Sequence, residues 1–397
     1  MNNSNNKYLT FLVLLLICNL CPSVYCKMTI NGPPKVMYID SDGVNWNSPD
    51  QTVISMVQAG YNIIILSFYI SNLGPVDMAV AWAGLSNSTK QSVVSYAHSQ
   101  GAIILVSAGG STDIPYSMNA NTFGTTVGNW VVSQFLDGID FDLENLAPYV
   151  AYPPMTSAQT IQWMISATTS AKTAMGPNSF ITHAPQAPYF GPISSSSTAW
   201  AGVLGGYTAV YKGAATSIDY LNVQFYNQGS CYPDFTSTFL NSGSTSGCYF
   251  PGTSANEIAS YGIPLSKIII GKPVTSSDAG SGYIPATTLS TMFSQAQKTL
   301  NYTPGIMGWV WHSPAINSAW LQTIYGNSSI PSTTSSSSTT SQQTTSTTGT
   351  TGSITTGGSS TGGSTTGISG TTTGTTVNTS GSNICLTCSA CSCCCAV

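Results

Sequence analysis

Eight short apolar runs, separated by longer segments of helical pattern, are the feature that most constrains the fold of residues 28–326. The runs begin at Val36, Ile63, Ala102, Gly138, Phe180, Tyr220, Lys267 and Ile306. Nearly continuous apolar runs are typical of parallel strands that are covered on both faces. Helix signals lie between most of them, such as the pair Ser48-Pro49 at a start and Gly101 or Gly176 after an end. The pattern predicts an α/β fold, a (β/α)8 barrel of the TIM type, with a two-domain doubly wound protein as the alternative.

The sequence on either side of this segment has a different composition. Residues 1–26 carry one Lys before a short apolar run, which predicts a secretory signal peptide rather than a membrane span. Residues 327–383 are mostly Ser, Thr and Gly without any charge, which predicts a disordered stalk. Residues 384–397 hold six cysteines, for which disulfide cross-links to other chains, a compact disulfide knot and a GPI-anchor signal are the alternatives.

A secreted chain enters an oxidising compartment, where pairs of cysteines form disulfides. Within residues 28–326 the only cysteines are Cys231 and Cys248, which flank a loop rich in Gly, Ser and Thr. We therefore expect a disulfide between them. Sequons for N-glycosylation at Asn87, Asn301, Asn327 and Asn378 agree with a secreted glycoprotein.

Charge is sparse in this chain, which excludes several classes of function. Nine Lys and no Arg face thirteen acidic residues, for a formal net charge of −4. Scattered lysines cannot form a basic patch for phosphate backbones, so we expect no nucleic-acid partner. We also expect no cofactor and no metal, because the sequence has neither a Gly-rich phosphate loop with a Lys nor a His/Cys cluster at ligand spacing. His98, His183 and His312 are isolated, and we interpret them as structural.

Four of the thirteen acidic residues fall within residues 137–144, Asp-Gly-Ile-Asp-Phe-Asp-Leu-Glu. Because alternate residues of a strand share a face, Asp140, Asp142 and Glu144 form a row opposite apolar side chains. Such a row is costly to bury, since desolvation and repulsion both disfavour ionisation. A hard-cation site and a structural hydrogen-bond network are alternatives, but cation sites usually draw their ligands from loops. The row predicts acid/base chemistry at the carboxyl end of strand four, whereas Asp137 has the opposite parity and is interpreted as structural.

Aromatic residues lie near the ends of other predicted strands. They are Tyr38 on strand one, Tyr226 on strand six, and Trp309 and Trp311 on strand eight. Sugar rings have apolar faces that stack on aromatic rings. We predict a carbohydrate cleft at this end of the barrel, with Trp309 as its floor.

Residues 137–144 resemble the DGxDxDxE signature of glycoside hydrolase family 18, the chitinases and their relatives. Three more segments agree with that family in the same order. Residues 107–110 (Ser-Ala-Gly-Gly) resemble its SxGG, residues 224–227 (Gln-Phe-Tyr-Asn) its QFYN, and residues 305–309 its strand-eight segment that ends in a Trp. Only one helix fits between strands seven and eight, so the resemblance implies a barrel without an inserted α+β domain and with an open groove.

The resemblance implies a secreted, endo-acting chitinase that hydrolyses β-1,4 bonds in chitin or N-acetylglucosamine oligosaccharides. Glu144 would be the general acid, and Asp142 would stabilise an oxazolinium ion formed by the substrate's own acetamido group. Asp140 would share a proton with Asp142, and Tyr226 would bind the acetamido group. Further substrate contacts are implied for Trp309, Tyr38, Gln224, Asn227, Met307 and Gln186.

Two other functions are compatible with the same fold and remain alternatives. An endo-β-N-acetylglucosaminidase that acts on N-glycans would use the same constellation. A catalytically inactive chitin-binding lectin would usually have lost the terminal Glu, which is present here as Glu144.

Overall fold

The structure is a computed structural model that describes residues 27–144, 155–191, 206–248 and 250–326, together with the backbone of residues 383–388 and 391–396. The predicted signal peptide and almost all of the predicted stalk lie outside the described residues.

Eight parallel strands close into a barrel in residues 27–326. They are β1 (Lys35–Ile39), β2 (Ile63–Ile70), β3 (Ile103–Gly110), β4 (Gly138–Leu143), β5 (Phe180–His183), β6 (Tyr220–Gln224), β7 (Ile268–Pro273) and β8 (Gly305–Trp309). Each strand pairs with the next along the chain, and β1 pairs with both β2 and β8, which closes the sheet. The predicted (β/α)8 barrel is confirmed, and the doubly wound alternative is wrong because this sheet has no open edge between strands one and eight.

Helices lie on the outside of the barrel, between the strands and after the last strand. They are α1 (Pro49–Gln58), α2 (Asp77–Ala83), α3 (Asn87–Ser99), α4 (Ala120–Ser133), α5 (Ser157–Met175), α6 (Gly206–Ala214), α7 (Ala255–Ser260), α8 (Ala286–Leu300) and α9 (Pro314–Tyr325). Local sequence signals mark the first residues of two of these helices, as expected. Thr156 caps α5 in a capping box with Gln159, and α1 begins with Pro49. Only one helix, α8, lies between β7 and β8, as predicted.

The alternation of side chains along the strands separates two apolar layers. On β4, Ile139 and Phe141 face the helices, where Phe141 lies 6.4 Å from Phe123 of α4 between ring centroids. The lower barrel interior is filled by a second cluster that includes Val36, Ile63, Ile65, Ile103 and Leu105. Asp140 and Asp142 have the opposite parity to Ile139, so β4 places them in the interior above that cluster.

The described part of residues 331–397 belongs to a second unit of the chain. Within it, Asn383–Cys388 and Cys391–Ala396 pair as an antiparallel ribbon in which Cys385 lies opposite Cys394 and Cys388 opposite Cys391. The predicted disulfide cross-links through this tail stay a prediction. In the part of the chain that the structure describes, no helix has the length and apolar character needed to cross a membrane.

Candidate active site

Strand β4 delivers three carboxyl groups to the carboxyl end of the barrel. Asp140 and Asp142 are buried in the interior, and Glu144 follows the last strand residue and is half-buried. The neighbouring strand can approach this point because Gly109 has no side chain: a Cβ there would lie 2.3 Å from the carbonyl oxygen of Asp142. Its φ of +121° also favours glycine. The Ser-Ala-Gly-Gly segment therefore packs directly against the carboxylate row.

Asp140 is held by donors from four different strands. Tyr38 and Ser107 donate to its Oδ2 at 2.7 and 3.0 Å, while Thr182 and Asn222 donate to its Oδ1 at 2.5 and 3.2 Å. Burial raises the pKa of Asp140, and the hydrogen bonds oppose that rise because they stabilise the charged form. Both of its oxygens are thus engaged by neutral donors.

The predicted sharing of a proton between Asp140 and Asp142 has no matching contact among the described residues. Asp142 instead accepts a hydrogen bond at 3.0 Å from Gln224, which also donates to the carbonyl oxygen of Ala184 at 3.0 Å. The charge of Asp140 still acts on Asp142 through space, because it contributes to the rise in the pKa of Asp142. We interpret Asp140 as an anchor for the row.

Asp142 and Glu144 form the electrostatic centre of the site. Burial raises the pKa of Asp142 well above its usual range, and the charges of Glu144 and Asp140 raise it further. Burial also raises the pKa of Glu144, although hydrogen bonds with Gln186 and Gln224 oppose the rise. Two adjacent carboxyls in this environment favour a state in which the pair retains a proton. Such a pair can deliver a proton at a pH where an ordinary Glu has already lost it.

Aromatic rings surround the space next to this pair. Trp309, at the end of β8, is partly exposed, and its ring centroid lies 5.8 Å from that of Tyr38 and 6.0 Å from that of Phe68. Tyr226 is buried in the interior cluster, where burial and the charge of Asp142 raise the pKa of its hydroxyl well above its usual range. Its hydroxyl therefore stays protonated and available as a donor. The apolar pattern of β2 did not predict that Phe68 lies here.

Several residues that were predicted to contact substrate have partners within the protein. Tyr38 is 1% exposed, and its hydroxyl is bound to Asp140 beneath the row. Gln186 and Gln224 both bond the carboxyl of Glu144. Met307 is buried in the interior cluster. These four side chains support the carboxylates and the aromatic floor from below or beside them.

Asn227 and Trp311 also have contacts within the protein. Asn227 has a φ of +64°, and its Oδ1 accepts a hydrogen bond from the amide of Gly280 at 2.9 Å, so it fixes a neighbouring loop. Trp311 is 2% exposed and packs edge-on against Tyr61 in the outer layer. Strand parity did not predict this orientation because β8 ends at Trp309.

The remaining candidates have structural partners. Cys231 and Cys248 are joined by a disulfide. His98 bonds Asp137, His183 bonds Thr168 and Tyr207, and His312 bonds Asp278. Within the described ranges, no group of three or more His, Cys, Asp or Glu side chains could hold a metal ion.

Comparison with known proteins gives a consistent result. The chain is 26% identical over 284 residues to a chitinase of Enterococcus faecalis, covering 68% of this chain and 76% of that one. It is 25% identical over 276 residues to chitinase D of Niallia circulans, covering 62% of this chain and 48% of the relative, so it spans about half of that protein. The crystal structure of a GH18 chitinase from Pseudoalteromonas aurantia aligns with a TM-score of 0.52 and 25% identity, over 73% of this chain and 99% of that one. No family model matches the chain.

A closed (β/α)8 barrel with a half-buried Glu144, a buried Asp142 and an aromatic floor at its carboxyl end defines the chain as a glycoside hydrolase. The chitinases among its relatives and the GH18 crystal structure agree with the Asp-Gly-Ile-Asp-Phe-Asp-Leu-Glu segment, so the predicted resemblance to glycoside hydrolase family 18 is confirmed. The enzyme class predicted from the sequence is confirmed as well.

Proposed function

We propose that this enzyme is a secreted, endo-acting chitinase that cleaves β-1,4 bonds between N-acetylglucosamine units with the help of the substrate's acetamido group. The observation that carries the proposal is the pair Asp142 and Glu144, both with raised pKa values, at the mouth of the barrel beside Trp309. The chitinases among its relatives support the choice of substrate.

In the first step, one sugar ring stacks on Trp309 and its acetamido group lies between Asp142 and Tyr226. Glu144 donates its proton to the glycosidic oxygen while the acetamido carbonyl oxygen attacks the anomeric carbon. The bond to the leaving sugar breaks, and a positively charged oxazolinium ion forms. No carboxylate nucleophile is needed, because the family is an exception to the two-carboxylate scheme.

The negative charge of Asp142 stabilises that cation, and the hydroxyl of Tyr226 holds the acetamido oxygen. In the second step, Glu144, now ionised, accepts a proton from a water molecule that attacks the anomeric carbon. The two displacements at one carbon give net retention of configuration. The repulsion between Asp142 and Glu144 favours this transfer of the water proton to Glu144, which leaves the acid protonated for the next cycle.

A comparison of substrates tests the proposal. We expect the purified enzyme to cleave a tetramer of N-acetylglucosamine, and NMR of the earliest products to show the β-anomer. Cleavage of a high-mannose glycoprotein without cleavage of the tetramer would identify an endo-β-N-acetylglucosaminidase instead. Binding of the tetramer without turnover would identify a lectin, and efficient cleavage of a cellulose tetramer would contradict the role of the acetamido group.

The proposal of secretion depends on the composition of residues 1–26. We expect the protein recovered from the culture medium of a eukaryotic expression host to begin near Lys27. N-terminal sequencing of that protein measures this directly, and retention of residues 1–26 on an intracellular product would contradict it.

A further inference from the structure

Lys272 is a fully buried cation that the proposed mechanism does not use. It lies near the carboxyl end of β7, and its partner in the register of β8 is Gly308, next to Trp309. No carboxylate pairs with it among the described residues. Burial lowers the pKa of its ammonium group to about 7, which shows how unfavourable this position is for a charge. A lysine at a position where its charge is so disfavoured needs an explanation.

The Lys272 ammonium group binds three backbone carbonyl oxygens. They belong to Phe225 at 2.7 Å, Tyr232 at 3.1 Å and Gly282 at 3.3 Å. An ammonium group has three N–H donors, whereas a neutral amine has two, so only the charged form satisfies all three carbonyls at once. Lys272 thereby joins the end of β6, the disulfide-bonded loop after it and the loop after β7.

Two of the three carbonyl oxygens belong to residues next to Tyr226, and the third belongs to a residue that packs against Phe225. Phe225 directly precedes it in the chain. Gly282 packs against its backbone so closely that a Cβ there would lie 2.5 Å from the Cα of Tyr226. Tyr232 stacks its buried ring edge-on against Phe225 at 5.1 Å, and its neighbour Cys231 forms the disulfide.

Other contacts between the two loops lie just beyond Tyr226. The amide of Asn227 donates to the carbonyl oxygen of Ser281 at 3.0 Å, and the amide of Gly229 donates to the hydroxyl of Ser281 at 2.9 Å. These bonds lie on the exposed side, whereas the ammonium group lies on the buried side. Tyr226 is therefore held between an outer set of loop contacts and one inner cation.

We propose that Lys272 is a positioning residue for the hydrolytic reaction: its ammonium group fixes the backbone around Tyr226, so that the Tyr226 hydroxyl meets the acetamido group beside Asp142. This role rests on the proposed function, because it acts through the residue that would bind the acetamido oxygen. A misplacement of about 1 Å at a reacting centre can cost about a hundredfold in rate.

The test uses Lys272→Met, which keeps the length of the side chain and removes its donors, in the full-length enzyme with the N-acetylglucosamine tetramer as substrate. We expect kcat to fall about tenfold or more while KM stays within about twofold. Lys90→Met is the matched control, because Lys90 is also buried and binds a carbonyl oxygen, that of Ala83, but lies on α3 away from Tyr226. Its kcat should equal that of the wild type even if its melting temperature falls.

A double-mutant cycle tests whether Lys272 acts on kcat through Tyr226. In the Tyr226→Phe background, Lys272→Met should change kcat by less than about twofold, because the hydroxyl that it positions is already absent. An equal loss in both backgrounds, an unchanged kcat in Lys272→Met, or an equal loss in Lys90→Met would each overturn the proposal. If Lys272→Met does not fold, Lys272→Gln takes its place, and failure of both to fold would assign Lys272 to stability alone.

A crystal structure of the variant separates this proposal from the proposed function. Lys272→Met should show Tyr226 displaced by about 1 Å with Trp309 and Asp142 unchanged, a result that does not depend on which substrate the enzyme uses. Absence of wild-type turnover on the tetramer would refute the proposed function, whereas an undisplaced Tyr226 would refute the positioning role.

Discussion

The carboxylates at the two ends of strand β4 have opposite kinds of neighbour. Asp137, just before the strand, bonds His98 Nε2 at 2.6 Å through one oxygen and accepts from the amide of Ile104 at 2.8 Å through the other. Asp142, near the other end, accepts from Gln224 and lies beside a second acid, Glu144. The fold supplies a basic partner at one end and a second carboxyl at the other.

This difference separates an acid with a structural role from an acid with a catalytic role. A carboxylate that is paired with a base and a backbone amide contributes to stability, and each of its two oxygens already has a partner within the protein. A carboxylate buried next to another acid is destabilising for the fold, so its position is explained by the reaction. Substitutions at each end should therefore affect different quantities, and this expectation can be tested directly.

The largest effect is expected for Glu144→Gln, which removes the proton donor with little change in volume. We expect kcat to fall by about a thousandfold, since general acid catalysis contributes about 10²–10⁴-fold, with binding of the tetramer retained. Glu257→Gln is the control, because Glu257 is the other glutamate of the chain and caps α7 through Ser254. It should lower the melting temperature and leave kcat unchanged. Turnover above about a tenth of wild type in Glu144→Gln would exclude Glu144 as the acid.

The next largest effect is expected for Asp142→Asn, compared with Asp137→Asn just before the same strand. Loss of the charge at Asp142 removes stabilisation of the oxazolinium ion, so we expect kcat to fall by about a hundredfold with the melting temperature unchanged or raised. Asp137→Asn should lower the melting temperature and leave kcat within about twofold. The kcat on the tetramer and the melting temperature are measured for both variants. The comparison of the two strand ends fails if both variants lose the same quantity.

Much of this arrangement was predictable from the sequence because it depends on local periodicity. The eight apolar runs predicted the barrel, and the parity of residues 140, 142 and 144 placed the acids on one face. Glu144 at the end of strand four followed from the rule that barrel chemistry lies at the carboxyl ends. These inferences need only the spacing of residues along one element.

The supporting contacts were not predictable, because they join residues far apart in the sequence. Thr182 and Asn222 reach Asp140 from β5 and β6, and no spacing rule brings them together. Phe68 lies near the end of a mostly apolar strand, in which periodicity does not show which side chain reaches the mouth of the barrel. Asn227 matched a family segment, but its left-handed backbone turns it toward a loop.

A smaller effect is expected for Thr182→Val, which removes one of the four donors to Asp140. The buried carboxylate keeps Asn222 on the same oxygen, so we expect a loss of about 1–3 kcal/mol in stability and a fall of a few-fold in kcat. Thr168→Val is the control, because buried Thr168 donates to the carbonyl oxygen of Met164 in the outer layer. It should cost stability without any change in kcat. Equal kcat for Thr182→Val and wild type would show that Asp140 does not anchor the row for catalysis.

The smallest effect is expected at the Asp137 end of β4, where the contribution to stability depends on pH. The hydrogen bond with Asp137 raises the pKa of His98, so the folded state binds that proton more tightly than the unfolded state does. Its stabilisation is fully present below the unfolded value of about 6.5 and is lost as the pH rises through the raised folded pKa. With an imidazole that is 32% exposed, we expect His98→Gln to cost under about 1 kcal/mol, more at pH 5.5 than at pH 8.5.

His183 provides the control of opposite sign, since burial lowers its pKa to about 3. Below pH 6.5 the unfolded chain takes up a proton there that the folded chain does not, so His183 loses about 1.4 kcal/mol of stabilisation for each pH unit down to its folded pKa. Thermal unfolding at pH 5.5 and 8.5 should therefore show the cost of His98→Gln rising at acid pH and the cost of His183→Gln falling. Neither variant's stability profile should follow the pH dependence of kcat, which belongs to Glu144 and Asp142. A shift in that kcat profile in His98→Gln would mean that the two ends of β4 are electrostatically connected after all.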